Sequence, residues 1–158
     1  MAVELIVGDR APDFSMPTDE GDTVSLSAHS GKIVVLYFYP KDDTSGCTSQ
    51  ALSFSADADA IAKAGAIVIG VSRDTVDSHA KFRKKHDLTI KLASDAAGAV
   101  TEAYGVWVEK SMYGRKYFGI ERSTFIIDRD SKIRSVWRKV KVPGHVESVL
   151  KTVKSMGA

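Results

Sequence analysis

The sequence predicts an α/β fold: a central mixed β-sheet flanked by helices, with an N-terminal hairpin extension. Three observations carry that expectation. An unbroken apolar and aromatic run, Ile33 to Tyr39, ends at Pro40 and has the length of a buried central strand. A second apolar run, Ala66 to Val71, follows it after an intervening helical pattern. Late in the chain, Ser123–Asp128 and Ile133–Trp137 alternate as a hairpin, and an amphipathic helix comes after them.

Taken in order, residues 1–32 hold short apolar pieces between turn signals at Gly8-Asp9, Pro12-Asp13, Pro17, Gly21-Asp22 and Gly31. They suggest one or two small strands or a hairpin, such as Asp13–Met16 and Thr23–Leu26. The Ile33–Tyr39 strand must stop at Pro40, which has no N–H to continue a ladder. A polar loop from Lys41 to Gly46 then leads to Cys47. From there Cys47, Ala51, Phe54, Ala58, Ile61 and Ala62 recur at helical spacing, and Gly65 is the expected stop. After the Ala66–Val71 strand, Ser72-Arg73-Asp74-Thr75 opens a helix from Val76 to about His86. A short strand at Ile90–Leu92 and a helix from about Ala96 to Tyr104 follow. Gly105–Gly119 has no clear period. Beyond the late hairpin, which turns at Arg129–Lys132, a helix starting after Pro143 buries Val146, Val149, Leu150 and Val153. Nothing marks a domain boundary, so residues 1–158 are expected to form one domain.

Composition narrows the function classes. A hydrophobic fraction of 44% is that of an ordinary globular chain, and a net charge of +2 gives no general attraction to nucleic acid or membrane. The start of the chain lacks an apolar stretch as long as a signal peptide or membrane span. With a single cysteine there is no internal disulfide, and a reducing, cytoplasmic location is the expectation.

A lone cysteine is ordinarily a small buried hydrophobe with no chemistry. The surroundings of Cys47 argue for more. It falls in the first turn of a helix, where unpaired N–H groups and the macrodipole favour a thiolate. Gly46 allows close approach of backbone to a ligand, and Thr44 adds a hydroxyl on the same loop. Such a pocket suits nucleophilic attack on something small that carries oxygen acceptors.

The spacing Pro40-x-x-x-Thr44-x-x-Cys47 resembles the signature of the peroxiredoxins, thiol peroxidases on a thioredoxin-like fold. The string YFYPKDDTSGCT is similar to the bacterioferritin comigratory, or Q-type, subclass. DRAPDFSMP, IGVSRDTVDSH, KFRKKHDL, LASD, AYGVW and ERSTFIID fall in that subclass's order and extend the resemblance over nearly the whole chain. The resemblance implies that Cys47 attacks the peroxide O–O bond and becomes a sulfenic acid. It implies that Thr44 holds the peroxide oxygens and that Pro40 screens the sulfur. Arg122 would stabilise the thiolate and the charge on the leaving oxygen. Gln50 would orient the Thr44–Arg122 network. No metal, haem or flavin is called for, because the chemistry resides in the thiol.

The chain departs from the subclass in two ways. Ser45 stands where Pro is usual, and its hydroxyl is a candidate helix cap. Positions that carry a second, resolving cysteine in relatives hold Leu52 and, in the next helix, the neighbourhood of Arg83. The reducing thiol must then come from outside: thioredoxin, glutaredoxin with glutathione, or similar. A monomer is expected.

The remaining residues read more plainly. His29, His79, His86 and His145 are scattered; His79 and His86 share a helix about 10 Å apart, with no third ligand nearby in sequence. No metal site is expected. Lys81, Arg83, Lys84 and Lys85 read as a solvated helix face, as do Arg134, Arg138, Lys139 and Lys141. Phe38, Tyr39, Trp107, Phe118 and Phe125 read as core or pocket wall, with Tyr39 and Trp107 at the mouth of the site. The expected activity is a one-cysteine thiol peroxidase acting on hydrogen peroxide and organic hydroperoxides. Two other classes stand beside it: a binding protein switched by Cys47 oxidation, and a Cys–His hydrolase.

Overall fold

The computed structural model describes residues 4–156; the ends of the expected 1–158 domain lie outside them. Strands β1 (Ser15–Pro17) and β2 (Thr23–Ser25) form the N-terminal antiparallel hairpin. Strand β3 (Ile33–Phe38) is followed by helix α1 (Ser45–Lys63), β4 (Ala66–Ser72), α2 (Val76–His86), β5 (Lys91–Ser94) and α3 (Ala99–Ala103). Strands β6 (Trp107–Met112) and β7 (Arg115–Ile120) form a second hairpin. The last elements are β8 (Ser123–Ile127), β9 (Ile133–Trp137) and α4 (His145–Ser155).

The central sheet has the order β5-β4-β3-β8-β9. Strands β3, β4 and β5 run parallel, and β8 and β9 join antiparallel, so the sheet is mixed. β3 lies in the middle and every residue in it is buried, because both faces of the sheet are covered. Its alternation splits the core in two. Ile33, Val35 and Tyr37 pack with Cys47, Phe54, Ile61, Phe82, Val149 and Val153 under the helices. Val34, Leu36 and Phe38 face Phe14, Met16, Val24, Tyr104 and Phe125 on the other side. The hairpin extension therefore serves as a lid over the second face.

Several local expectations are revised. Helix α3 is shorter than the span from Ala96 to Tyr104, because Gly98 takes a left-handed φ of 87° and resets the chain. Asp95 then accepts from the N–H groups of Val100 and Thr101 at 3.2 and 2.7 Å. The fifth sheet strand sits at Lys91–Ser94 rather than Ile90–Leu92, in parallel register with β4. Gly105–Gly119 holds most of the β6–β7 hairpin, which turns at Tyr113-Gly114 with φ of 53° and 77°. Two successive positive φ values suit a two-residue hairpin turn.

The basic helix face is not wholly solvated. Arg83 makes a bidentate pair with Asp19 at 2.6 and 3.1 Å and donates to the carbonyls of Leu88 and Ile90. It ties α2 to the N-terminal hairpin. Lys85 reaches Asp43 at 2.7 Å, and half-buried Arg138 donates to Leu5 O. Phe118, expected inside, is 59% exposed. No described helix is long and apolar enough to cross a membrane.

Candidate active site

The site is built at the junction of β3 and α1. Tyr39 N donates to Val71 O, one bond beyond the end of β3, and the exposed Pro40 ends the pairing. The chain then needs one left-handed residue, Asp43 with φ 61°, to swing into the helix. Thr44 is extended at the N-cap, which makes Ser45, Gly46 and Cys47 the first three helical residues. Ser45 is thus inside the helix and not its cap. Nor does Thr44 cap it by side chain: its hydroxyl donates backwards to Lys41 O at 2.9 Å.

Cys47 is 1% exposed and its sulfur has a cationic neighbour. Arg122 Nη2 donates to Sγ at 3.3 Å, while Nη1 of the same guanidinium donates to Gln50 Oε1 at 2.7 Å. Gln50 lies almost one turn beyond Cys47 on the buried side of α1, and its Nε2 has no partner among the described residues. Arg122 is held in the β7–β8 junction: Glu121 N donates to Val106 O, and Val140 N to Arg122 O. Gly46 matters through that guanidinium. A Cβ there would sit 3.2 Å from Arg122 Nη2, so the missing side chain lets the cation lie over the first turn.

Outside Arg122 is an open hollow lined by Val108, Lys110, Tyr117, Arg122, Lys139 and Val140. Lys110 Nζ donates to Ile120 O at 2.5 Å; burial and then the charge of Arg122 lower its pKa. Tyr37, stacked on Phe54 with ring centroids 4.6 Å apart, carries a buried hydroxyl with no partner among the described residues. Burial first, then the nearby Cys47 and Asp42, keep that phenol protonated.

Tyr39 is not at the mouth of the site. It is buried, and its hydroxyl donates to Asp42 Oδ1 at 2.6 Å. Trp107 is half-buried, with the Arg73 guanidinium 3.4 Å over its ring and Phe118 stacked at 6.4 Å. The histidines sort by their partners. His145 Nε2 lies 2.8 Å from Thr124 Oγ1, and burial, aided by Arg122, pushes its pKa down to about 4. His79 binds Asp42 through Nδ1 at 2.7 Å and Ala93 O through Nε2 at 2.9 Å. No described histidine nitrogen reaches Sγ, so a Cys–His hydrolase lacks its base here.

Sequence spacing offered His79 no further ligands, but the fold brings Asp42 and Asp74 to it, with donor atoms within 4.8 Å of one another. Those atoms are already engaged: Asp42 accepts from Tyr39, Ser78 and His79, and Asp74 accepts from Ser72 and the Asp42 N–H. The group is a closed hydrogen-bonded network. The sequence reading missed it; the run Asp42-Asp43 followed by Ser78-His79 near a helix start was the available signal.

Residues 7–136 match the AhpC/TSA family. The chain is 50% identical to a putative peroxiredoxin bcp of Coxiella burnetii, covering 95% of this chain and 98% of the relative. It is 46% identical to peroxiredoxin Bcp of Bacillus subtilis, covering 99% and 98%. A Xanthomonas campestris bacterioferritin comigratory protein, solved with trapped intermediates and ligands in work on alkyl peroxide reduction, is 42% identical with a TM-score of 0.88 and 99% coverage of both chains.

Proposed function

Since the chain belongs to the AhpC/TSA family, among its Bcp/Q-type peroxiredoxins, we propose that it is a thiol-dependent peroxidase working through Cys47. The observation that carries this reading is the Arg122 guanidinium 3.3 Å from a sulfur in the first turn of α1. A cation and a helix N-terminus together favour the thiolate that attacks.

Cys47 thiolate attacks one oxygen of ROOH; an S–O bond forms, the O–O bond breaks, and RO⁻ departs to take a proton as alcohol, or as water from hydrogen peroxide. Arg122 faces the charge that develops on the leaving oxygen, and Gln50 steadies the guanidinium. Thr44 is assigned the peroxide oxygens. Its hydroxyl gives its proton to Lys41 O in the free protein, and its oxygen lone pairs remain available to a hydroperoxide proton. Pro40 is assigned the screening of the sulfur at the end of the loop.

With one cysteine in the chain, the sulfenic acid is resolved from outside. A first thiol forms a mixed disulfide and releases water; a second thiol displaces Cys47 and leaves as the oxidised disulfide. Thioredoxin or glutaredoxin with glutathione fits that role. Leu52 is 44% exposed and Arg83 is engaged with Asp19, which is consistent with neither place acting in resolution. We read the protein as one monomeric domain of the cytoplasm. The test is peroxide consumption by wild type and Cys47→Ser with dithiothreitol, the thioredoxin system and the glutathione–glutaredoxin system compared. No turnover with any of the three would refute the reading.

A further inference from the structure

We propose that Asp42 and His79, as a buried carboxylate–imidazolium pair, are positioning residues that hold the Pro40–Cys47 loop in its reactive shape. The inference rests on the peroxidase reading and concerns side chains outside the Cys47–Arg122 contact. Asp42 is 7% exposed and His79 fully buried. The two ring nitrogens of His79 settle its protonation. Nε2 lies 2.9 Å from the Ala93 carbonyl, which can only accept, so this nitrogen carries a proton. Nδ1 lies 2.7 Å from Asp42 Oδ2, a carboxylate oxygen, so it carries one too.

The pair and the Asp42 backbone link the loop to four elements at once. Asp42 Oδ1 takes the hydroxyl of Tyr39 at the end of β3, and Oδ2 takes the hydroxyl of Ser78 on α2. The backbone N–H of Asp42 donates to Asp74 Oδ2, which also accepts from Ser72 on β4, and Ala93 belongs to β5. The next residue, strained Asp43, is tied to Lys85 and His86 at the far end of α2. The loop that presents Thr44 and Cys47 is therefore docked on α2 through consecutive carboxylates.

Charge gives the pair a second effect. Tyr37 packs in the same core cluster as Cys47 and lies 5.6 Å, centroid to centroid, from Tyr39, whose hydroxyl donates to Asp42 Oδ1, so one aromatic pair bridges the sulfur and the carboxylate. An Asp42 carboxylate without its imidazolium would be a buried charge lacking its partner, on the loop that carries Thr44 and leads to Cys47. The groups facing His79 are Asp42 from the loop, Asp74 from the β4–α2 turn, Tyr39 from the end of β3 and the Ala93 carbonyl from β5. Burial opposes the charge, and the hydrogen bond and charge of Asp42 overcome it, so the His79 pKa lies above the ordinary imidazole value. The clamp is intact below that pKa and loosens as pH rises through it.

The experiment follows peroxide reduction by stopped flow, and iodoacetamide alkylation of Cys47, across pH for wild type, His79→Gln and Asp42→Asn. Wild type should show an alkaline fall in both rates. His79→Gln should lose that fall and react about tenfold more slowly at neutral pH, the scale of a small loss of positioning. Asp42→Asn should move the fall to lower pH. Wild-type pH profiles in a folded His79→Gln protein would overturn the proposal. Should neither variant fold, NMR titration of His79 in wild type must coincide with the alkaline fall, and a mismatch overturns the pair's role equally. If peroxide is not reduced by wild type, the peroxidase reading fails, while the alkylation profiles still decide the pair.

Discussion

Arg122 Nη2 lies 3.3 Å from Cys47 Sγ across a separation of 75 residues, and the same guanidinium grips Gln50 of the helix that carries the sulfur. One cation thus touches both the sulfur and the helix that carries it. Removing the charge should slow peroxide reduction far more than it destabilises the fold. Arg122→Met is expected to lose on the order of 10²-fold in the second-order rate, the scale of one preorganised donor at a developing oxyanion. Stopped-flow kinetics with unchanged far-UV circular dichroism checks it; a wild-type rate would remove Arg122 from the mechanism.

Thr44→Val keeps the shape of the loop's side chain and deletes the hydroxyl. The exposed bond to Lys41 O contributes about 1 kcal/mol at most, so stability should change little. The peroxide rate should fall by about 10²-fold if the hydroxyl holds the reacting oxygens. Equal rates in the two proteins would assign Thr44 a purely structural place.

Gly46→Ala separates stability from activity in the opposite sense. Alanine in the first helical turn is favoured over glycine by up to about 1 kcal/mol, so the melting temperature should hold or rise. The added Cβ would meet Arg122 Nη2 at 3.2 Å and push the guanidinium away by a few tenths of an ångström. Peroxide reduction should drop by about tenfold from that displacement. A variant both more stable and fully active would show that the guanidinium tolerates the shift.

His145 makes a stability prediction with a defined sign. Its pKa is about 4 in the folded protein against about 6.5 when unfolded, so the unfolded chain binds the extra proton first. Stability should be full above pH 6.5 and decline as pH falls toward 4, by on the order of 2 kcal/mol from this residue. Urea unfolding between pH 4 and 7.5 measures it. His145→Gln should flatten that slope, and an unchanged slope would move the titration to other groups.

Oxidation without reductant tests resolution. One equivalent of peroxide should leave Cys47 as a sulfenic acid, trapped by dimedone, and excess peroxide should drive it to sulfinic and sulfonic acids. A Cys47–Cys47 bridge between two chains is disfavoured because a sulfur 1% exposed cannot readily meet its copy at bonding distance. Non-reducing intact mass spectrometry distinguishes these products. A covalent dimer as the main oxidised form would replace external resolution by exchange between two copies of the chain.

Legibility followed the range of the interactions. Strand β3, the helix after it and the place of Cys47 in the first turn were readable, because apolar runs, Pro40 and Gly65 act on their immediate neighbours. The β6–β7 hairpin was not, since most of its residues are exposed and burial imposes no period on them. Its one local signal, Tyr113-Gly114, needs a residue other than glycine to accept a positive φ. Ser45 misled for a similar reason: Ser is a good N-cap, but Thr44 holds the extended backbone at that position.

The sequence alone determined that a single thiol stands at the end of a buried strand and the start of a helix, since short-range sterics, backbone pairing and side-chain period set that geometry. Through resemblance to relatives it also marked Arg122 as the cation for the Cys47 thiolate with Gln50 beside it, but not that the Thr44 hydroxyl donates to Lys41 O instead of joining them. Only the tertiary structure decided that Gly46 makes room for that cation and that Asp42 meets His79 over 37 residues of chain. Packing α2 against the loop closes that long separation. Hydrogen bonds between side chains so far apart leave no period in the sequence from which they could be read.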